Sequence, residues 1–163
     1  MNKIYIGDIV GTHGIKGEVK LISDFEYKDR VLKKDFPIIM DDKVYYIDSS
    51  RPHKIYDLIL VRGITNINDT DILINKSVYI DKSNLKLEQG EYLLNDLIGA
   101  TVIDNGNNLG KVTEILKGIR NNFIKVDDSF LIPLQDQFII KFDTSEKILY
   151  VKKGKELKDA ILN

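Results

Sequence analysis

The sequence predicts an all-β protein built from two small β-barrels, and three observations support this fold class. Short apolar stretches recur at short intervals along the 163 residues, as they do in domains assembled from many short strands. Turn-forming pairs such as Asp41-Asp42 and Asn105-Gly106 separate these stretches and suit hairpin connections. A polar interval near the middle, residues 81–91, contains only isolated leucines and predicts a connection between two domains.

The first two predicted strands flank three evenly spaced glycines, Gly11, Gly14 and Gly17. Residues 4–10 are rich in β-branched and aromatic side chains, and apolar and polar residues alternate over 18–22. Glycines that cradle a nucleotide phosphate must instead open a helix, whose N-terminus holds the anion. We therefore interpret the glycine segment as a loop between strands, which excludes a P-loop or a dinucleotide-binding motif.

The other elements follow in order along the chain. Further strands are predicted at the remaining apolar stretches, residues 37–40, 44–47, 55–61, 78–80, 101–103, 111–116, 123–126, 138–142 and 148–151. Helical spacing is limited to three short segments, residues 24–32, 68–73 and 155–162. The chain is therefore expected to be mainly β.

The polar interval sets the expected domain boundaries. We predict an N-terminal barrel over residues 1–82, a linker over 83–91 and a C-terminal barrel with a short tail over 92–163. Each domain is small, but a β-barrel can be stable at this length because closure removes the exposed strand edges.

Composition excludes several classes of function. The chain has no cysteine, which excludes a disulfide framework, a thiol nucleophile and a thiolate zinc site. No apolar run approaches the roughly 18 residues that span a membrane, and the N-terminus enters a strand pattern without a signal sequence, so we expect a cytoplasmic protein. We find neither a nucleophile paired with a base nor a phosphate loop. The sequence therefore predicts no enzyme, no cofactor and no small-molecule substrate.

The net charge of the chain limits the class of partner that it can bind. The chain carries 24 Lys and Arg against 25 Asp and Glu, a net charge of -1, and the two signs are mixed along its length. Autonomous nucleic-acid binders usually carry a basic excess, so strong direct RNA binding is disfavoured. A protein partner rich in Lys and Arg would complement the acidic groups better.

Several segments together resemble one family. Residues 6–20 resemble the opening of RimM, the bacterial ribosome maturation factors, and residues 91–99 resemble the start of that family's C-terminal PRC barrel. Residues 108–112, 131–133 and 147–151 then follow in the family's order and at about its spacing. Each piece is weakly specific, but together they cover nearly the whole chain and form a strong signal.

The resemblance implies a translation-factor-like N-terminal barrel joined to a PRC barrel, with no catalytic activity. It implies an assembly chaperone that binds the immature small ribosomal subunit through a ribosomal protein of the subunit head. Such a protein promotes head assembly and processing of the small-subunit rRNA, with rRNA contacts secondary. The alternative is a PRC-barrel adaptor in RNA metabolism unrelated to ribosome assembly, against which the N-terminal glycine segment argues.

Candidate partner-binding residues lie in two segments: Gly11, His13, Gly14, Lys16 and Gly17 in the first, and Tyr92, Leu93 and Asp96 in the second. The glycines have a structural alternative, because a tight loop needs positive φ or close backbone approach. A glycine loop with one histidine and one lysine is also suited to lie on RNA backbone or in a protein groove.

Individual candidates have alternatives of their own. His13 has no second histidine within ligand spacing, since His53 is the only other one, so we expect no metal site and a hydrogen-bonding role in the turn. Tyr92 is either a core aromatic or an exposed anchor, and Leu93 stands where the resembling family tends to have a second aromatic. Asp96 is expected to cap or brace a turn through its side chain.

Overall fold

The chain forms two compact units, residues 1–86 and 87–163, in this computed structural model, which describes residues 2–161. The division falls inside the polar interval. Leu85 at its centre is buried and follows a 3-10 turn, Lys82–Asn84.

The first unit is a closed antiparallel barrel. Its strands are β1 (Lys3–His13), β2 (Glu18–Ile22), β3 (Pro37–Met40), β4 (Lys43–His53), β5 (Tyr56–Val61) and β6 (Ser77–Asp81). They close in the order β1-β2-β5-β4-β3-β6. A short helix, α1 (Lys28–Val31), and a 3-10 helix, Ile67–Ile72, lie in the connections.

The predicted alternation of apolar and polar residues identifies the side chains that form the core of this barrel. Val19 and Leu21 of β2 are fully buried, as is Ile59 of β5, which pairs with Val19. The β3–β4 hairpin turns at Asp41 and Asp42, whose φ angles of 49° and 61° fit the tight turn that joins antiparallel strands.

The glycine segment is shorter as a loop than the sequence predicts. Strand β1 continues to His13, so Gly11 lies inside the strand and pairs with Lys20 of β2. The register shifts between Ile9 and Gly11, and such a bulge lets a strand bend without ending its ladder. Only the turn from Gly14 to Gly17 connects the strands.

The second unit is a six-stranded sheet with one helix. Its strands are β7 (Thr101–Asp104), β8 (Asn107–Lys117), β9 (Asn122–Val126), β10 (Phe130–Pro133), β11 (Ile139–Asp143) and β12 (Ile148–Val151). They lie in the order β10-β9-β8-β7-β12-β11, and only β12 and β7 among these neighbours pair in parallel. Helix α2 (Gly154–Ile161) packs against β8 and β10; residue 162, the end of the predicted tail helix, lies outside the described residues.

All six strands of this unit contribute to one buried cluster, as in a sheet that coils into a barrel. The buried members are Leu97, Ala100, Val102, Leu109, Val112, Ile124, Val126, Phe130, Ile132, Phe142, Leu149 and Val151. The β7–β8 hairpin turns at Asn105 and Gly106, both with positive φ, as predicted. The all-β, two-barrel fold class is confirmed.

Candidate partner-binding site

The backbone of the glycine turn contacts the first barrel closely. Gly14 and Gly17 have φ angles of 67° and 95°, a conformation that favours glycine. A Cβ at Gly17 would lie 3.0 Å from the carbonyl oxygen of Ile64, and the N–H of Ile67 donates to the carbonyl of Ile15 at 3.1 Å. The structural alternative for these two glycines is thus supported. Gly11 has neither positive φ nor a close neighbour beyond Lys20 at 3.8 Å.

The turn displays two side chains to solvent. Ile15 is 76% exposed, and Lys16 beside it is also exposed. The hydrogen bond from Ile67 and the close approach at Gly17 hold the backbone that carries these side chains against the barrel.

The two histidines of the chain meet, although their sequence spacing gave no sign of it. The ring centroids of His13 and His53 lie 4.7 Å apart, at an interplanar angle of 55°. His13 ends β1 and His53 ends β4, so only the strand order brings them together. The hydrogen-bonding role of His13 stays a prediction; over residues 2–161 the recognised contact of its ring is the tilted one with His53. No cluster of metal-ligating side chains occurs in the same range.

Strand register places both histidines on one face of the sheet. Directly paired residues point to the same side, and His13 pairs with Glu18, while Lys20 and Arg51 both pair with Leu58. Alternate residues along one strand share a face, which joins Glu18 to Lys20 and Arg51 to His53. The face therefore comprises His13, Glu18, Lys20, Arg51, His53 and Leu58. Leu58, at its centre, is fully buried.

One ion pair crosses this face. Arg51 Nε donates to Glu18 Oε2 and Arg51 Nη2 to Glu18 Oε1, each at 3.0 Å. This hydrogen-bonded guanidinium is the main reason that the pKa of Glu18 is lowered; Arg51, His13 and Lys16 add favourable charge. The carboxylate is neutralised in place by a bidentate partner.

The other charged groups around the histidines are cations. The pKa of His53 is lowered, first by partial loss of hydration and then by the positive charge of its neighbours His13, Lys54, Arg51 and Lys20. The Nζ of Lys20 lies 5.0 Å from the ring centroid of Tyr56. We call His13, Lys16, Lys20, Arg51, His53 and Lys54 the cationic face.

Sequence reasoning missed Lys20, Arg51 and Lys54 as members of this surface. They come from two separate segments, β2 and the end of β4 with its turn, and no local motif marks them. The pairing of β2 and β4 with opposite sides of β5 brings them together.

In the second unit, Tyr92 and Leu93 are packed residues. The ring of Tyr92 meets that of Phe142 edge to face, with centroids 5.3 Å apart, and packs against the buried cluster. Leu93 is only 7% exposed. These contacts support the core-aromatic alternative for Tyr92.

Asp96 does not cap its turn. It lies in the first turn of the 3-10 helix Leu94–Leu97, whose cap residue Leu93 has no side-chain hydrogen bond. The turn is closed through the backbone, the N–H of Asp96 donating to the carbonyl of Leu93 at 2.9 Å. The half-buried carboxylate forms no hydrogen bond or ion pair with the part of the chain that the structure describes. The exposed Ile98 and Gly99 follow it.

Two family models match the chain in succession. Residues 4–85 match the RimM N-terminal domain, and residues 94–157 match the RimM PRC barrel domain. Over residues 2–161, no helix is long and apolar enough to cross a membrane.

Relatives match over most of their length. The chain is 34% identical to the ribosome maturation factor RimM of Oceanobacillus iheyensis, covering 92% of this chain and 94% of the relative. It is 33% identical to the RimM of Leuconostoc mesenteroides, covering 92% of each. A crystal structure of a 16S ribosomal RNA processing protein RimM from Pseudomonas aeruginosa is 23% identical, covers 95% of this chain and 99% of its own, and has a TM-score of 0.48. On the two family models and these sequence identities, the chain belongs to the RimM family of ribosome maturation factors.

Proposed function

We propose that this chain binds the immature small ribosomal subunit in the cytoplasm, through a ribosomal protein of the subunit head, and promotes head assembly and rRNA processing. The relatives are named as ribosome maturation factors, which supports the subunit as the partner. The activity is binding and requires no catalytic step.

The carboxylate of Asp96 is the feature that best supports a contact with a protein. It is half-buried and makes no hydrogen bond within residues 2–161, although ionised carboxylates gain most from a charged donor. A lysine or arginine of a basic ribosomal protein would supply that donor. Ile98, 42% exposed, offers an apolar contact next to it.

Such binding would act by population shift. A factor that binds one conformation of the assembling head more tightly than the others raises its occupancy by that difference in affinity. The near-neutral charge of the chain leaves rRNA contacts in a secondary role, because a protein without a basic excess gains little from counterion release.

Asp96→Asn tests the contact in the full chain. We expect it to weaken binding to an isolated head ribosomal protein by about tenfold, since hydrogen bonds to charged groups are worth roughly 1.5–3 kcal/mol. Asp159→Asn, an exposed aspartate of α2, removes the same charge and should leave the affinity unchanged. Equal effects of the two substitutions would exclude Asp96 as the contact.

A further inference from the structure

We propose that the cationic face of the first barrel binds the phosphate backbone of ribosomal RNA. The proposal rests on the proposed function, because the small subunit supplies the polyanion.

The cationic face concentrates positive charge that the whole chain does not have. Lys16, Lys20, Arg51 and Lys54 are permanent cations that interact with Glu18 or His53, and Glu18 is the one carboxylate on the face that the strand register defines. Four minus one leaves an excess of three, in a chain whose net charge is -1. Both carboxylate oxygens of Glu18 already accept a hydrogen bond from Arg51, so Glu18 does not offer a free carboxylate.

Two turns border this face in the same way. The β1–β2 turn carries the exposed Lys16 beside Ile15, and the β4–β5 turn carries the exposed Lys54 beside Ile55, which is 75% exposed. His13 and His53 adjoin the two turns, and their ring centroids lie only 4.7 Å apart, so the two turns border one shared surface. A lysine on each side with ring N–H donors between them can follow consecutive phosphates, while the isoleucines contact sugars or bases.

Lys3 and Lys76 of the same barrel are not equivalent to the lysines of the cationic face. A groove of about 440 Å³ lies beside Lys3 and Lys76, but Lys3 pairs with Asp42 at 2.7 Å and Lys76 pairs with Asp41. Their charge is compensated within the barrel. On the cationic face Glu18 pairs with Arg51, which leaves the charges of Lys16, Lys20 and Lys54 for an anion.

The partner that fits is RNA and not a ribosomal protein. Ribosomal proteins are rich in Lys and Arg and would be repelled by a cationic surface, whereas phosphate neutralises Lys and Arg and releases counterions. The contact is small, which agrees with a secondary role for RNA in the affinity of the full chain.

The test measures binding of the full chain to a fluorescein-labelled 20-nucleotide RNA hairpin by anisotropy, over a series of salt concentrations. We expect Lys16→Glu with Lys54→Glu to weaken binding at low salt by about tenfold or more. The log–log salt slope should become shallower by about 1.4–1.8, since each lost phosphate contact removes roughly 0.7–0.9.

A matched control uses Lys152→Glu with Lys153→Glu. Both lysines are exposed, and Lys153 shares with Lys54 a positive φ, 61° against 57°. We expect the control to bind the hairpin within twofold of the unmodified chain, and thermal unfolding should show both variants folded.

Three outcomes would overturn the proposal: no salt-dependent binding of the hairpin by the unmodified chain, equal losses in the two variants, or displacement of the hairpin by polyglutamate as readily as by unlabelled RNA. The last would assign the face to an acidic peptide. Binding to an isolated head ribosomal protein, measured on the same variants, should not change. If the chain fails to bind small subunits yet loses hairpin binding in the Lys16/Lys54 variant alone, the proposed function fails and the RNA site stands.

Discussion

The rings of His13 and His53 meet in a tilted contact with centroids 4.7 Å apart, and cations surround the pair. Loss of hydration and the charges of His13, Lys54, Arg51 and Lys20 all lower the pKa of His53. In the folded state the neutral imidazole is therefore favoured.

We predict that His53 titrates below its unfolded value of about 6.5. Because the folded pKa is the lower one, its contribution to stability is present above about 6.5 and is lost as pH falls through the folded pKa. A proton NMR titration of the C2–H resonance measures this midpoint. His13→Asn removes one positive neighbour and should raise it; a His53 midpoint at or above 6.5 in the unmodified chain contradicts the arrangement.

Gly110 is expected to be the glycine in the second barrel least tolerant of alanine. Its φ is +124°, and an added Cβ would lie 2.2 Å from Oδ2 of Asp127, a carboxylate fixed by the N–H of Lys111 at 2.8 Å. Backbone strain and overlap together should cost about 3 kcal/mol or more in the free energy of unfolding. Urea unfolding followed by tyrosine fluorescence measures the loss.

Gly106→Ala is the matched control for Gly110→Ala. Gly106 also has positive φ, +83°, but an added Cβ would meet no atom within 4 Å. Gly106→Ala should lower the free energy of unfolding only through backbone strain, by about 1–2 kcal/mol. Equal losses at the two positions would mean that Asp127 does not occupy the space beside Gly110.

Substitutions at Tyr92 and Leu93 should lower the stability of the second barrel before they affect partner binding. Tyr92→Ala removes the ring that packs on Phe142 and should cost about 3 kcal/mol, whereas Tyr92→Phe keeps the packing. Leu93→Tyr puts a larger side chain at a buried position and should cost about 1–3 kcal/mol. Thermal unfolding and small-subunit binding of each variant separate the roles. A stable Leu93→Tyr chain with tighter binding would instead make this residue a partner contact.

Limited trypsin digestion should cut first after Lys86 and leave two folded fragments. Lys86 is exposed, whereas the preceding Leu85 is buried and Lys82 lies in a turn where Asp81 accepts from the N–H of Ser83 at 3.0 Å. Exposed polar connections are preferred sites of nicking. Mass spectrometry identifies the cut and circular dichroism tests the fragments; a first cut within a strand would argue against two independent domains.

Local features of the chain could be predicted from the sequence. The glycine turn, the Asp41-Asp42 and Asn105-Gly106 hairpins and the alternating strand 18–22 each depend on a few neighbouring residues, whose conformational preferences are sufficient. Gly11 was placed in the loop wrongly, because a bulge that keeps a strand going leaves no clear local pattern.

The candidate sites depended on contacts between distant segments. His13 and His53 meet because β1 and β4 flank the β2–β5 pair in the barrel order, and spacing along the chain does not contain that order. Asp96 is of a residue type that often caps turns, yet it lies inside the 3-10 helix, and the turn is closed through the backbone carbonyl of Leu93. Whether a side chain or a backbone group closes a turn depends on the final geometry.

Co-sedimentation of the full chain with free small subunits and with assembled ribosomes tests the central claim most directly. A factor that stabilises an assembling head should bind one state better than the other. The account predicts that the chain pellets with free small subunits and remains in the supernatant with assembled ribosomes, with Asp96→Asn reducing the bound fraction and Asp159→Asn leaving it unchanged. Equal pelleting with both particles, or with neither, would contradict it.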